Sequence, residues 1–121
     1  MMTGFFTHMA KVSASRPYPY MYAQDVDPQR QGDGINYSSM WSGHTAVPMA
    51  AAVSLSYTLH RRQSPLRWWV TVLGPSLALS AGFLQIAAGN HFPSDVLLGA
   101  LVGGGVGWLN PWIRDQFTSL E

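Results

Sequence analysis

Cysteine is absent from this chain, which excludes disulfides and thiolate metal sites while leaving the compartment open. Charge is nearly as scarce. Asp, Glu, Lys and Arg make up 11% of the 121 residues, against about a quarter in soluble globular domains. A soluble domain this small needs a charged coat, because most of its residues meet water. The seven basic and six acidic residues nearly cancel, so no basic surface points to a nucleic-acid partner. Residues 1–9 lack the basic n-region, apolar h-region and small-residue cleavage site of a signal peptide, and none is expected there. No internal repeat or low-complexity tract is visible, and the length allows one domain at most, residues 1–121.

What the chain does contain is apolar sequence, unevenly spread. Residues 1–23 mix aromatics with one Lys and one Arg and end in Arg16-Pro17-Tyr18-Pro19-Tyr20. The two prolines there stop a helix and favour an extended or turning chain, so a short helical segment is expected only around residues 4–10. Residues 23–40, rich in Gln, Asp and Gly, read as a solvated loop.

Three uncharged runs follow. The first, residues 45–59, approaches the roughly 17 residues that the shortest membrane helices need. Ser42 as N-cap would add a turn, and Pro48 is tolerated in or near the first turn. The second, residues 68–90, is long enough to cross a bilayer, with a kink expected at Gly74-Pro75. The third, residues 96–113, is expected to take Ser94 or Asp95 as its N-cap. It carries Gly99, Gly103 and Gly107 at intervals of four, a small-residue face suited to close helix packing in lipid. Helices of a soluble bundle normally keep a polar stripe, and the second and third runs have none. The chain therefore reads as all-α, a membrane helical bundle of about three transmembrane helices plus the short N-terminal segment.

Arg61, Arg62 and Arg67 lie between the first two runs, and Arg114 follows the third. The positive-inside rule puts them on the cytoplasmic side. Ser42-Gly43-His44, the 23–40 loop and residues 91–95 then face outward, toward the periplasm if the membrane is a bacterial inner membrane.

Chemistry can come only from a few residues. His44, a capping or surface residue when taken alone, follows Ser42-Gly43 at a helix start, where unpaired backbone N–H groups favour oxyanions such as phosphate. Gly43 lets the backbone approach a ligand. His91 and Asp95 are four apart. A carboxylate one turn along can accept the Nδ1 proton and leave Nε2 as a nucleophile, or Asp95 is a helix cap and His91 an interfacial residue. Ionisable groups at membrane depth are costly, which favours function. Lys11 and Arg16 are the only cations in the first 29 residues. They are either solvated charges or the holders of an anion, Arg as a planar fork and Lys as a point charge.

A Lys followed by Arg-Pro, then Ser-Gly-His, then His-x-x-x-Asp at a helix junction resembles the type-2 phosphatidic acid phosphatase superfamily, which also includes bacterial acid phosphatases and vanadium haloperoxidases. Trp41-Ser42-Gly43-His44 matches the family's Pro-Ser-Gly-His block with Trp for Pro, and residues 89–99 are close to membrane-bound members. The resemblance implies a metal-independent phosphoric monoester hydrolase with no cofactor. In it His91 would be the nucleophile that forms a phosphohistidine, Asp95 would orient it, and His44 would protonate the leaving alcohol. Lys11, Arg16, Ser42 and Gly43 would hold the phosphate oxygens, together with Gln85 where the family has Arg. The implied substrate is an amphiphilic lipid phosphate or pyrophosphate, taken from the membrane.

Two departures from the family pattern open other readings. Gln85 replaces an Arg, and Tyr18-Pro19 stands at the spacing from Lys11 where the family has Arg-Pro, with Arg16-Pro17 two residues earlier. These favour a relative that binds a phosphate head group without turning it over. The resemblance also covers nearly the whole chain but only the C-terminal half of the family's six-helix bundle, so a fragment, a mis-started frame or a short form is expected. With the glycine face, this favours a structural hairpin or assembly subunit, and self-association would shield the polar site.

Overall fold

The computed structural model describes residues 17–22 and 42–119. The expected segment at 4–10, the loop 23–40, Lys11 and Arg16 lie outside the described residues. Among those described there is no strand. A single 3-10 turn, Pro19–Tyr22, precedes three helices: α1 (Gly43–Arg61), α2 (Arg67–Ala87) and α3 (Pro93–Thr118).

Ser42 is the N-cap of α1 in extended conformation, but its hydroxyl makes no capping bond. Its carbonyl instead accepts the N–H groups of Thr45 and Ala46 at 3.1 and 2.8 Å. Because α1 begins at Gly43, Pro48 sits in the second turn rather than the first, where its missing N–H removes one rung of the ladder. Gln63, at φ 53°, turns the chain after Arg62. Pro75 falls inside a continuous α2. That helix stops at Ala87, short of the expected Asn90, because Gly89 takes the left-handed conformation (φ 72°) that ends helices. α3 is capped by Phe92, not by Ser94 or Asp95. Pro93 opens the helix with a φ already suited to it, and Asp95 at the third helical position reaches back to the Phe92 N–H, 3.0 Å away.

The chain runs up, down and up, with α1 packed against both other helices far more than they pack on each other. The α1–α3 contact depends on the glycine stripe. Gly99, Gly103 and Gly107 are all buried. A Cβ on Gly99 would stand 2.7 Å from the Ser42 carbonyl oxygen, and one on Gly103 or Gly107 would enter the backbone of Ala46 or Ala50. On the other side of α1, a Cβ on Gly74 would stand 2.7 Å from the Ala52 Cβ. Small residues thus let the helices meet backbone to backbone, the arrangement that supplies close packing where lipid offers no hydrophobic drive.

α2 and α3 are long and apolar enough to cross a membrane, with 11% and 28% of their span residues buried within the chain. A core helix of a soluble protein would be mostly buried. Here Trp69, Leu77 and Phe83 of α2 and Leu97, Leu101 and Phe117 of α3 are exposed, an apolar surface far beyond what a soluble monomer carries. The hydroxyls within the helices are consistent with that setting. Ser56, Thr58, Thr71, Ser76 and Ser80 each donate to the carbonyl one turn earlier, at 2.6–3.0 Å, so that these five hydroxyls leave no unmet donor to the hydrocarbon. The chain is a membrane protein.

The glycine stripe yields a paired test. Gly103→Ala is expected to lower stability by about 1–3 kcal/mol, because the added methyl meets backbone that no rotamer change can move. Gly105→Ala has open space at its Cβ and is expected to leave stability unchanged or raised by up to about 1 kcal/mol through helix propensity. Thermal unfolding in mild detergent separates the two, and equal midpoints would refute the backbone-contact account.

Candidate active site

Two helix starts and one helix end meet at one end of the bundle. Ser42, at the head of α1, donates its N–H to the Asp95 carbonyl in the first turn of α3 at 2.8 Å. This bond holds the starts of the two parallel helices level, and the bare Gly99 beneath Ser42 permits it. α2 arrives from the other direction. A Cβ on its Gly82 would stand 2.5 Å from both Thr45 Oγ1 and Val96 Cγ1, so all three helices converge there.

Residues 88–92 carry the chain from α2 to α3, and Gln85 organises that link. Its carbonyl accepts the Asn90 and His91 N–H groups at 3.0 and 3.3 Å, and its side-chain oxygen accepts Asn90 Nδ2 at 2.9 Å. His91 is thereby fixed in place, 3% exposed, with its Nδ1 3.9 Å from Oδ2 of a fully buried Asp95. The same Oδ2 accepts the Phe92 N–H. One carboxylate therefore both caps α3 and faces the imidazole.

His44, exposed at the second residue of α1, brings its ring to 6.2 Å from that of His91, tilted by 57°. The 3-10 turn closes over the same place. Tyr18 meets His91 edge-on at 5.6 Å, and Tyr22 meets Phe92 edge-on at 6.2 Å. Of the residues singled out from the sequence, His44, His91, Asp95, Ser42, Gly43 and Gln85 stand at this end of the bundle. Lys11 and Arg16 lie outside the described residues.

Two features of the site went unread in the sequence. In the sequence Tyr18 is marked only by its spacing from Lys11, where the resembled family has an arginine, and not as a contact of His91. Thr45 gave no signal, since a threonine at the head of an apolar run looks like any other helix residue. Yet Ser42 Oγ and Thr45 Oγ1 are both fully buried and, among the described residues, have no hydrogen-bond partner, unlike the back-bonded hydroxyls along the helices. Buried polar atoms without partners are rare, and each calls for an explanation. At this place they are donors beside a helix N-terminus, where the first-turn N–H groups also lack intrahelical acceptors. Such an end accepts an anion.

An imidazole with a carboxylate behind it, a second imidazole across from it and donors for oxyanions can together perform group transfer to histidine. The comparisons bear on that. The family model of the PAP2 superfamily matches residues 1–119. A lipid A 1-phosphatase of Porphyromonas gingivalis is 41% identical over 83 residues, 69% of this chain and 18% of that protein. A lipid A 4'-phosphatase of Bacteroides thetaiotaomicron is 27% identical over 90 residues, 74% of this chain and 36% of its own. The chain thus spans well under half the length of the relatives it matches. No solved structure matches.

The double duty of Asp95 gives a stability prediction. Asp95→Ala leaves the Phe92 N–H without its acceptor and is expected to cost about 1–3 kcal/mol. Asp95→Asn keeps a carbonyl oxygen and should recover most of that loss. Thermal or denaturant unfolding in detergent measures both, and an alanine variant as stable as the parent would show that the carboxylate does not hold the turn.

Proposed function

The chain belongs to the PAP2 superfamily, and from that premise we propose that it carries the catalytic half of a membrane lipid phosphatase that works through a phosphohistidine without a metal. The observation that carries this reading is the convergence of His44, His91 and Asp95 at one end of a bundle whose outer faces are apolar. The relatives named as lipid A phosphatases support a lipid phosphate monoester as the substrate class.

In the proposed reaction Asp95 faces Nδ1 of His91, so Nε2 attacks phosphorus. The P–N bond forms as the ester P–O bond breaks, and His44 gives its proton to the departing alkoxide. Water then attacks the phosphohistidine with His44 taking its proton, releasing phosphate and restoring both rings. Covalent catalysis divides one difficult step into two, and the second imidazole as acid contributes roughly 10²–10⁴-fold. Ser42, Gly43 and the first turn of α1 receive the phosphate oxygens, joined by Lys11 and Arg16. The arginine-rich end supports an orientation with that end cytoplasmic and the histidines facing the periplasm of a bacterial inner membrane.

Phosphate release from a short-chain phosphatidic acid, measured on the detergent-purified chain, tests the proposal. Activity is expected to persist in excess EDTA and to fall to background in His91→Ala. Release that survives the substitution would sink the phosphohistidine, and release abolished by EDTA would sink the metal-free mechanism.

A second reading, binding with weak turnover, is favoured by Gln85, whose side-chain oxygen is already engaged by Asn90 and which brings no charge to phosphate. A charge-assisted contact to the transferring group is worth about 2–4 kcal/mol, while the Asn90 bond it would displace is worth about 0.5–1.5 kcal/mol. Gln85→Arg is therefore expected to raise kcat/KM by roughly tenfold or more. An unchanged kcat/KM in that variant would mean that the phosphate charge is balanced elsewhere.

A further inference from the structure

At the other end of the bundle, α1 and α3 enclose a cleft of about 140 Å³ whose walls include Tyr57 and Arg61 from α1, Arg62 just after it, and Arg114 and Asp115 from α3. Its single acid is already neutralised. Asp115 Oδ2 receives Arg61 Nε and the Tyr57 hydroxyl, each at 3.1 Å. Among the described residues the guanidinium groups of Arg62 and Arg114 make no ion pair or hydrogen bond, so the cleft keeps two uncompensated positive charges. The positive-inside rule accounts for arginines in this region of the chain, but not for their convergence from two helices on one concave place.

We infer that this cleft is a second phosphate-binding site, which takes the anionic head group of a lipid in the leaflet opposite the histidines. Two guanidinium forks offer the planar, paired donors that suit phosphate oxygens. The surroundings favour a lipid over a free ion. Trp108 lines a neighbouring hollow that shares Tyr57 and Arg61 with the cleft, and stacks on Trp112 at 5.8 Å, while Leu109, Ile113 and Phe117 present exposed apolar surface along the same helix, where acyl chains can lie. Basic pockets between membrane helices bind phospholipid head groups in this way. The inference rests on the membrane-spanning bundle and is independent of the reaction proposed at the other end.

Native mass spectrometry of the detergent-solubilised chain, titrated with phosphatidylglycerol and with phosphatidylcholine, reads the site directly. Phosphatidylglycerol is expected to bind and phosphatidylcholine not to. Each cation near an anionic lipid is worth about fivefold, so Arg114→Gln should weaken binding about fivefold and the Arg62→Gln, Arg114→Gln double variant about thirtyfold. Thermal unfolding without lipid checks that these exposed substitutions leave the fold intact. Arg67→Gln serves as control, because Arg67 lies at the same end outside the cleft and bonds to Gln63; it should change binding less than twofold. Equal loss in Arg67→Gln would reduce the effect to general charge and overturn the site. Undiminished binding in the double variant would overturn it too. Competition by millimolar inorganic phosphate would assign the cleft to the free ion and overturn the lipid.

Discussion

The contact on which the rest depends is the seam where α3 lies against α1 with no side chain between them. Three glycines one turn apart meet Ser42, Ala46 and Ala50, also one turn apart, so the two helices keep the same register along their parallel course. That register puts the first turn of α3 beside the first residue of α1, where the Ser42–Asp95 backbone bond forms. The position of Asp95 then follows, and with it the carboxylate that caps α3 and faces His91. The arrangement of the reactive groups is thus inherited from helix packing several turns away. A stripe of glycines that reads as packing alone also sets where Asp95 stands against the head of α1.

The polar groups divide into two populations with different physical situations. Along the helices, the hydroxyls of Ser56, Thr58, Thr71, Ser76 and Ser80 are closed onto carbonyls one turn earlier, as suits an apolar solvent. At the histidine end, Ser42 Oγ and Thr45 Oγ1 are buried and, among the described residues, remain without partners. The same residue types are thus satisfied in one region and unsatisfied in another, the contrast that supports the proposed phosphate site at the histidine end. Distributed function of this kind, with local rules kept everywhere except at the site, is what consistency across levels leads one to expect.

The three apolar runs, the bends between them and the small-residue face were legible in the sequence because each rests on local composition or periodicity. The juxtaposition of His44 with the 91–95 segment also followed, since the two passes between them return the chain to the same side. What was not legible came from contacts that cross between elements. The end of α2 at Ala87 is set by Gly89 and by the Gln85 carbonyl gathering two N–H groups. The start of α3 is set by a carboxylate reaching back from its first turn, so that Phe92, which has no capping propensity, occupies the cap. Tyr18 lies far from His91 in sequence, and nothing local announces that the 3-10 turn folds over that ring.

The field at the site follows from the direction of the helices. α1 and α3 both begin there and present the positive ends of their dipoles, each equivalent to roughly half a charge. α2 ends there, and its negative end would oppose them if its last carbonyls were bare. They are not: Gln85, Ile86 and Leu84 have their carbonyls occupied by the N–H groups of residues 88–91. The one formal anion, Asp95, is turned toward Phe92 N–H and His91 and is shut off from solvent. The Asp95 carboxylate thus compensates the start of α3, and the start of α1, which has no acidic residue in its first turn and no side-chain cap, is the uncompensated positive end beside the two imidazoles. In the proposed reaction, part of the attraction for phosphate comes from that backbone end, which a neutral Gln85 does not alter.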